Sequence, residues 1–146
     1  MLPVEFPAPS FRIRKQGSYD EIFDSIRKRL LVLSPEEWVR QNFIAYLVQT
    51  MQIPSALIGI KKEVRVGELK KRFDIVVFGK DGLPWMLVEC KAMEVMLTGK
   101  TISQMLAYIS GLSCRFAMIT NGSYTHGWQI VSNGFLPLEQ FPLYNT

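Results

Sequence analysis

Three ionisable residues interrupt stretches that otherwise read as buried strand: Asp74 in Arg72-Phe73-Asp74-Ile75-Val76-Val77-Phe78, and Glu89 and Lys91 in Met86-Leu87-Val88-Glu89-Cys90-Lys91-Ala92. Charges in apolar strands are costly unless they are paired or used. Strand side chains alternate, so Glu89 and Lys91 project from one face about 6.6 Å apart along the backbone, while Val88 and Cys90 face the other way. Two carboxylates suit a hard, oxygen-seeking ion such as Mg²⁺, which keeps several waters and binds substrate phosphate. Lys91 then lies within reach of an attacking water or a scissile phosphate, where an ammonium orients the nucleophile and stabilises charge developing on phosphorus. These residue types point to phosphodiester hydrolysis. An exposed trio of surface ion pairs would show the same spacing; hydrophobic strands on both sides and the Asp81-Gly82 turn between them favour the site.

The geometry depends on that turn. If Asp81-Gly82 is a two-residue turn, Lys80 pairs with Leu83 and Asp74 stands directly opposite Glu89, with Cβ atoms about 4.5–5.5 Å apart. The two carboxylates then share one divalent cation, which relieves their repulsion. A four-residue loop keeps both on one face. A three-residue loop ending in Gly82 breaks that parity unless a bulge restores it.

The surrounding elements follow from capping and periodicity. Ser34-Pro35-Glu36-Glu37 starts a helix, with Ser as N-cap, Pro at the first position and Glu37 completing a capping box. The helix should run to about Met51, presenting Trp38, Val39, Phe43, Tyr46, Leu47 and Met51 to a sheet, and end before Pro54. Leu57–Val66, Lys71–Phe78 and Trp85–Lys91 read as an antiparallel meander punctuated by Gly67 and Asp81-Gly82. Thr98–Ser110 is a second helix with Gly111 as its left-handed cap, Arg115–Thr120 a strand, Asn121-Gly122 a turn and Gly127–Val131 a last strand. Before these, Phe11-Arg12-Ile13-Arg14 suggests a short strand or arm, and Glu21–Leu33 fits either a short helix or an extended segment.

Composition sets the frame: 146 residues, 48% hydrophobic and 21% charged, describe a folded single domain rather than a disordered chain. We expect a lead of residues 1–20, a core of about 20–130 and a tail of 132–146. Lys plus Arg number 17 against 13 acids, a net +4 that suits a polyanion. No apolar run reaches the roughly 20 residues needed to span a bilayer, and Met1–Ser10 lacks a signal-peptide core, so no membrane partner and a cytoplasmic location are expected. Cys90 and Cys114 read as buried thiols of a reducing compartment rather than a disulfide or zinc site. His126 is the lone histidine, which nearly excludes His-based triads and suits a turn or packing role. Gly99-Lys100-Thr101 lacks the glycine a phosphate-binding loop needs at position 94, where Glu94 stands, so an ATP site is rejected.

The chain resembles the PD-(D/E)xK nucleases, most closely the N-terminal endonuclease domain of type I restriction enzyme R subunits. The resemblance rests on Lys71-Arg72-Phe73-Asp74-Ile75-Val76-Val77, on Leu87-Val88-Glu89-Cys90-Lys91-Ala92, on Gln104-Met105-Leu106-Ala107-Tyr108 as a QxxxY motif, and on the helix Pro35-Glu36-Glu37-Trp38-Val39-Arg40-Gln41. It covers roughly residues 20–130. Phe73 stands where the proline that names the family would be.

The resemblance implies a restriction-endonuclease-like α/β core of order α-β-β-β-α-β, a mixed central sheet flanked by helices. It implies a Mg²⁺-dependent DNA endonuclease, with Mn²⁺ as a substitute. Asp74, Glu89 and the backbone carbonyl of Cys90 would ligate the metal, Lys91 would be the catalytic lysine, and Gln104 and Tyr108 would support the site or contact DNA. A core role for Tyr108 is the alternative. Glu37 resembles the helix carboxylate that many such nucleases add to the metal, a role for which the capping box and Glu36 compete. Lys70, Lys71 and Arg72 would hold the DNA backbone near Asp74. Full R subunits carry motor domains for which 146 residues leave no room, so cleavage is expected to be motor-independent or to need a separate motor, methyltransferase or specificity subunit. A homodimer would cut both strands where a monomer nicks. The rivals are a non-catalytic nucleic-acid-binding or assembly module of this fold, and a repair or junction-resolving nuclease.

Overall fold

The computed structural model describes residues 1–66 and 68–144; Gly67 and the last two residues of the expected tail lie outside them. The elements run β1 (Ile13–Gln16), β2 (Tyr19–Asp24), β3 (Arg29–Val32), α1 (Pro35–Ala45), β4 (Ile58–Val66), β5 (Leu69–Phe78), β6 (Pro84–Cys90), α2 (Gly99–Ile109), β7 (Phe116–Thr120), β8 (Thr125–Val131) and β9 (Gly134–Pro137). The sheet of order β4-β5-β6-β7-β8-β9 is mixed: its neighbours pair antiparallel except β6 and β7, which α2 connects in parallel. The expected meander is therefore β4-β5-β6, and the expected order of helix, three strands, helix and strand is present.

The N-terminal third takes the extended of the two forms expected for Glu21–Leu33, and the short strand expected around Phe11–Arg14 is β1. Residues 13–32 form a separate antiparallel sheet, β1-β2-β3, so Glu21–Leu33 is extended and contains two strands rather than a helix. Both ends of the chain are tied down: Leu2 is buried and its amide donates to the Thr125 carbonyl, while the Tyr144 hydroxyl donates to the Phe78 carbonyl. Strand β9, within the proline-containing tail, is an addition to the expected elements and pairs with β8.

Helix α1 begins where the capping signal places it, the Ser34 hydroxyl accepting the Glu37 amide at 3.0 Å with Pro35 in the first turn. It continues through one π-helical turn, Tyr46–Thr50, and stops before Gln52, whose φ is 55°. Val39, Phe43, Ile44 and Leu47 pack on one face of the large sheet with Ile75, Val77, Met86 and Val88. Helix α2, capped by Thr98, buries Met105 and Ile109 on the opposite face against Val76, Leu87, Ala117 and Ile119. Removing a buried Phe43 or Ile109 side chain would cost about 2–5 kcal/mol, which is what anchors each helix to its face.

The β5–β6 connection resolves the parity question. The Gly79 amide donates to the Leu83 carbonyl, leaving the three-residue loop Lys80-Asp81-Gly82, so the two-residue turn with Lys80 opposite Leu83 is not formed. Phe78 then pairs with Pro84 but Val77 with Met86, so Trp85 is the extra residue of a bulge. From Val77↔Met86 to Ile75↔Val88 the register is the one that sets Asp74 against Glu89. The bulge also lets Trp85 and Met86 enter the same core, Trp85 against Phe116 and Tyr144.

Gly82 holds φ at 82°, and a Cβ there would meet open space, so its replacement strains backbone alone. Gly82→Ala should lower unfolding free energy by about 1 kcal/mol, with Gly82→Asn recovering part of it, as read by urea denaturation. Equal stability of all three proteins would contradict this account of the loop.

Candidate active site

Strands β5 and β6 part at the site. Their last ladder pair is Ile75↔Val88, whereas β6 stays paired with β7 through Cys90↔Thr120, and the Lys91 amide still donates to the Thr120 carbonyl at 2.8 Å. Beyond the ladder, side chains replace main-chain acceptors. The Cys90 amide donates to the Asp74 carboxylate at 2.8 Å, and the Asp74 amide to the Glu89 carboxylate at 3.4 Å. The two acids thereby satisfy backbone donors that the departing strand leaves open, and they are held beside each other in doing so.

That closeness disfavours charge on Glu89. Burial, followed by the negative charge of Asp74, pushes the Glu89 carboxyl up to about 7, against weaker opposing help from the Asp74 amide and Lys91. Lys91 is half-buried, and its ammonium is the nearby cation that favours ionised Glu89. The cysteine between them is a core residue: burial raises the Cys90 thiol far above its usual range and Cys114 to about 11, so neither is a thiolate nucleophile.

Helix α1 brings a second set of charges. Arg40 is buried, and its guanidinium donates to Glu37 at 2.6 Å, Glu36 at 2.7 Å and Asp74 at 3.2 Å. Burial works against its charge, but Glu37 and Asp74 outweigh it, so Arg40 is held more firmly cationic than usual. Behind it, Glu37 also accepts from Gln41 at 3.0 Å and from Arg27 at 3.4 Å. Fully buried Asp24 in turn accepts from Gln41, from the Arg27 guanidinium and from the Ile26 and Arg27 amides. A continuous chain of charge-assisted hydrogen bonds thus joins the end of β2 to Asp74.

This network engages the two helix carboxylates differently. Glu37 supplies the amide half of the capping box, but its carboxylate is spent on Arg40, Gln41 and Arg27. Glu36 keeps a half-exposed side chain, and its charge reaches Glu89, pushing it up. The sequence reading did not single out Asp24, Arg27, Arg40 or Gln41. Spacing offers a signal for two of them, because Glu36/Arg40 and Glu37/Gln41 are i, i+4 pairs on one helix face.

The remaining candidates lie on α2 and on the stretch of β5 before Asp74. Gln104 is exposed on α2. One turn on, the Tyr108 hydroxyl accepts the Arg72 amide at 3.0 Å, and its ring packs on Phe73 at 5.5 Å between centroids, with the Lys71 ammonium over it at 4.9 Å. Lys71 also donates to the Tyr108 carbonyl. Tyr108 is 42% exposed, so it is a brace between α2 and the strand just before Asp74 rather than a core residue. Lys70 and Arg72 are exposed, and the Arg72 guanidinium donates to the Lys61 carbonyl. His126 lies in β8, its ring stacked near Trp128.

Among the described residues, no three His, Cys, Asp or Glu side chains gather to cage a metal. The centre offers two carboxylates instead, one reluctant to ionise beside the other. That donor set fits a hard divalent ion that retains most of its waters, and it does not fit an all-protein cage.

The raised carboxyl makes a pH prediction for the metal-free protein. Folded Glu89 binds its proton more tightly than unfolded Glu89, so stability falls as pH rises from about 4.5 through about 7. Glu89→Gln should therefore be more stable than wild type at pH 8, by on the order of 3 kcal/mol in urea denaturation, with the gap closing near pH 5. A variant less stable than wild type at pH 8 would contradict this.

Residues 35–142 match the family model of the type I restriction enzyme R protein N terminus. No curated protein matches the chain.

Proposed function

The chain belongs to the family of the type I restriction enzyme R protein N terminus, and on that footing we propose that it is a metal-dependent DNA endonuclease of PD-(D/E)xK type centred on Asp74, Glu89 and Lys91. The observation that carries this reading is the pairing of two carboxylates at the parting of β5 and β6, with Glu89 pushed up to about 7 by burial and by its neighbour. The order α1-β4-β5-β6-α2-β7 supports the fold assignment. The family supports a DNA substrate and association with other restriction-modification subunits.

Asp74, Glu89 and the Cys90 carbonyl would hold Mg²⁺, with Mn²⁺ as a substitute; when bound, the ion supplies positive charge beside the scissile phosphate and makes a nearby water a better nucleophile. Lys91, which follows the end of β6 two residues after Glu89, hydrogen-bonds the attacking water and a phosphoryl oxygen and offsets charge as it builds on phosphorus. Arg40, bonded to Asp74 and anchored by Glu36 and Glu37, fixes the orientation of that carboxylate. Tyr108 braces the strand that carries Asp74.

Supercoiled plasmid incubated with the protein and Mg²⁺ or Mn²⁺ at low salt should be nicked or linearised, and EDTA should stop it. Lys91→Ala should cut the rate by about 100-fold or more while the variant remains folded. Cleavage that survives Lys91→Ala would move the centre elsewhere. Absence of both cleavage and metal binding would favour a non-catalytic nucleic-acid-binding module.

A further inference from the structure

The family match begins at residue 35, so the sheet β1-β2-β3 lies outside it. That sheet supplies one wall of a groove of about 660 Å³, whose other walls are the start of α1 and the β4–β5 pair. Five cations line the groove: Arg27, Arg29, Arg40, Lys61 and Arg72. Two are neutralised in place, Arg40 by Glu36, Glu37 and Asp74, and Arg27 by Asp24 and Glu37. Arg29, Lys61 and Arg72 are exposed, and none of these three forms an ion pair among the described residues. Three cations outside any ion pair, from three different strands, thus share one concave surface with the arginine that touches Asp74.

Strand β4 is irregular where it meets this surface. Its pairing with β5 passes from Ile60↔Ile75 to Lys62↔Phe73, skipping Lys61 and Asp74 between them. Lys61 has φ 51°, left-handed backbone that a non-glycine residue keeps only where its surroundings impose it. The strained residue therefore stands across the sheet from Asp74, with its side chain in the groove wall. Among the described residues no aromatic side chain lines the groove, which leaves phosphate contact rather than base stacking as what it offers a nucleic acid.

We propose that this groove binds the sugar–phosphate backbone of DNA and leads it to Asp74, with Arg29 of the N-terminal sheet and Lys61 as phosphate contacts. The inference rests on the nuclease reading above. It makes residues 13–32 part of the substrate surface, and it makes binding strongly salt-dependent with little sequence preference.

The test measures fluorescence anisotropy of a short labelled duplex in the Lys91→Ala background with Mg²⁺, across a range of salt. The groove variant is Arg29→Gln with Lys61→Asn, asparagine being tolerant of left-handed backbone. A control, Lys15→Gln with Lys100→Gln, removes the same charge at exposed positions outside the groove. The groove variant should raise Kd by about tenfold and lower the slope of log affinity against log salt by about two, with the control changing much less. Equal losses in both variants would overturn the groove and leave the nuclease reading standing. A parent protein that binds no DNA at any salt would overturn both.

Discussion

Two like charges brought together at the end of a β-ladder are the constraint on which the rest of this structure turns. Asp74 and Glu89 cap backbone amides that β5 and β6 can no longer exchange, and that geometry sets their carboxylates side by side. At an effective dielectric of about 20, unit charges 4 Å apart repel by about 4 kcal/mol, as much as a large core side chain contributes. The surrounding cations answer that repulsion in part: Arg40 from the helix layer at Asp74, and Lys91 from the strand at Glu89. Glu89 still sits near 7, so the arrangement is left wanting a further positive charge.

The placement of Arg40 ties distant parts of the chain to that point. Its guanidinium is buried and held by acids from two elements, while Glu37 behind it is held by Gln41 and Arg27, and these by Asp24 at the end of β2. Buried ion networks of this kind contribute little net stability, since desolvation offsets much of the attraction, but breaking one partner leaves a stranded charge and costs about 3–5 kcal/mol. The network therefore works as a locator. It fixes the small N-terminal sheet against α1, and so fixes the groove wall that carries Arg29 relative to Asp74.

How much of this was legible in the sequence depended on whether the signal was local. Ser34-Pro35 marks the start of α1 because capping is written in four consecutive residues, and the facing of Asp74 and Glu89 could be framed because strand alternation carries over a short hairpin. Of the loop lengths the sequence leaves open, the three-residue one is formed, and a compensating bulge at Trp85 returns the register that a two-residue turn would have produced. Sequence leaves helix and extended chain open for Glu21–Leu33 because Arg27-Lys28-Arg29 falls at the turn, where Lys28 takes φ 57° and basic residues hide the alternation. Arg40 and Asp24 act across 34 and 17 residues of chain, on Asp74 and Gln41 respectively, a separation at which single-sequence patterns carry no information. The split of roles between Glu36 and Glu37 likewise depends on where Arg40 lies, and no cap motif encodes that.

The central claim is that the Asp74–Glu89 pair is a seat for a divalent cation, and it is tested most directly by the thermal unfolding midpoint as a function of Mg²⁺ at pH 8. A ligand that binds only the folded state raises that midpoint with concentration. Wild-type protein should be stabilised by Mg²⁺ in a saturable manner, and Asp74→Asn, folded but lacking one carboxylate, should not respond. A wild-type midpoint indifferent to Mg²⁺, or an equal rise in both proteins, would contradict the account.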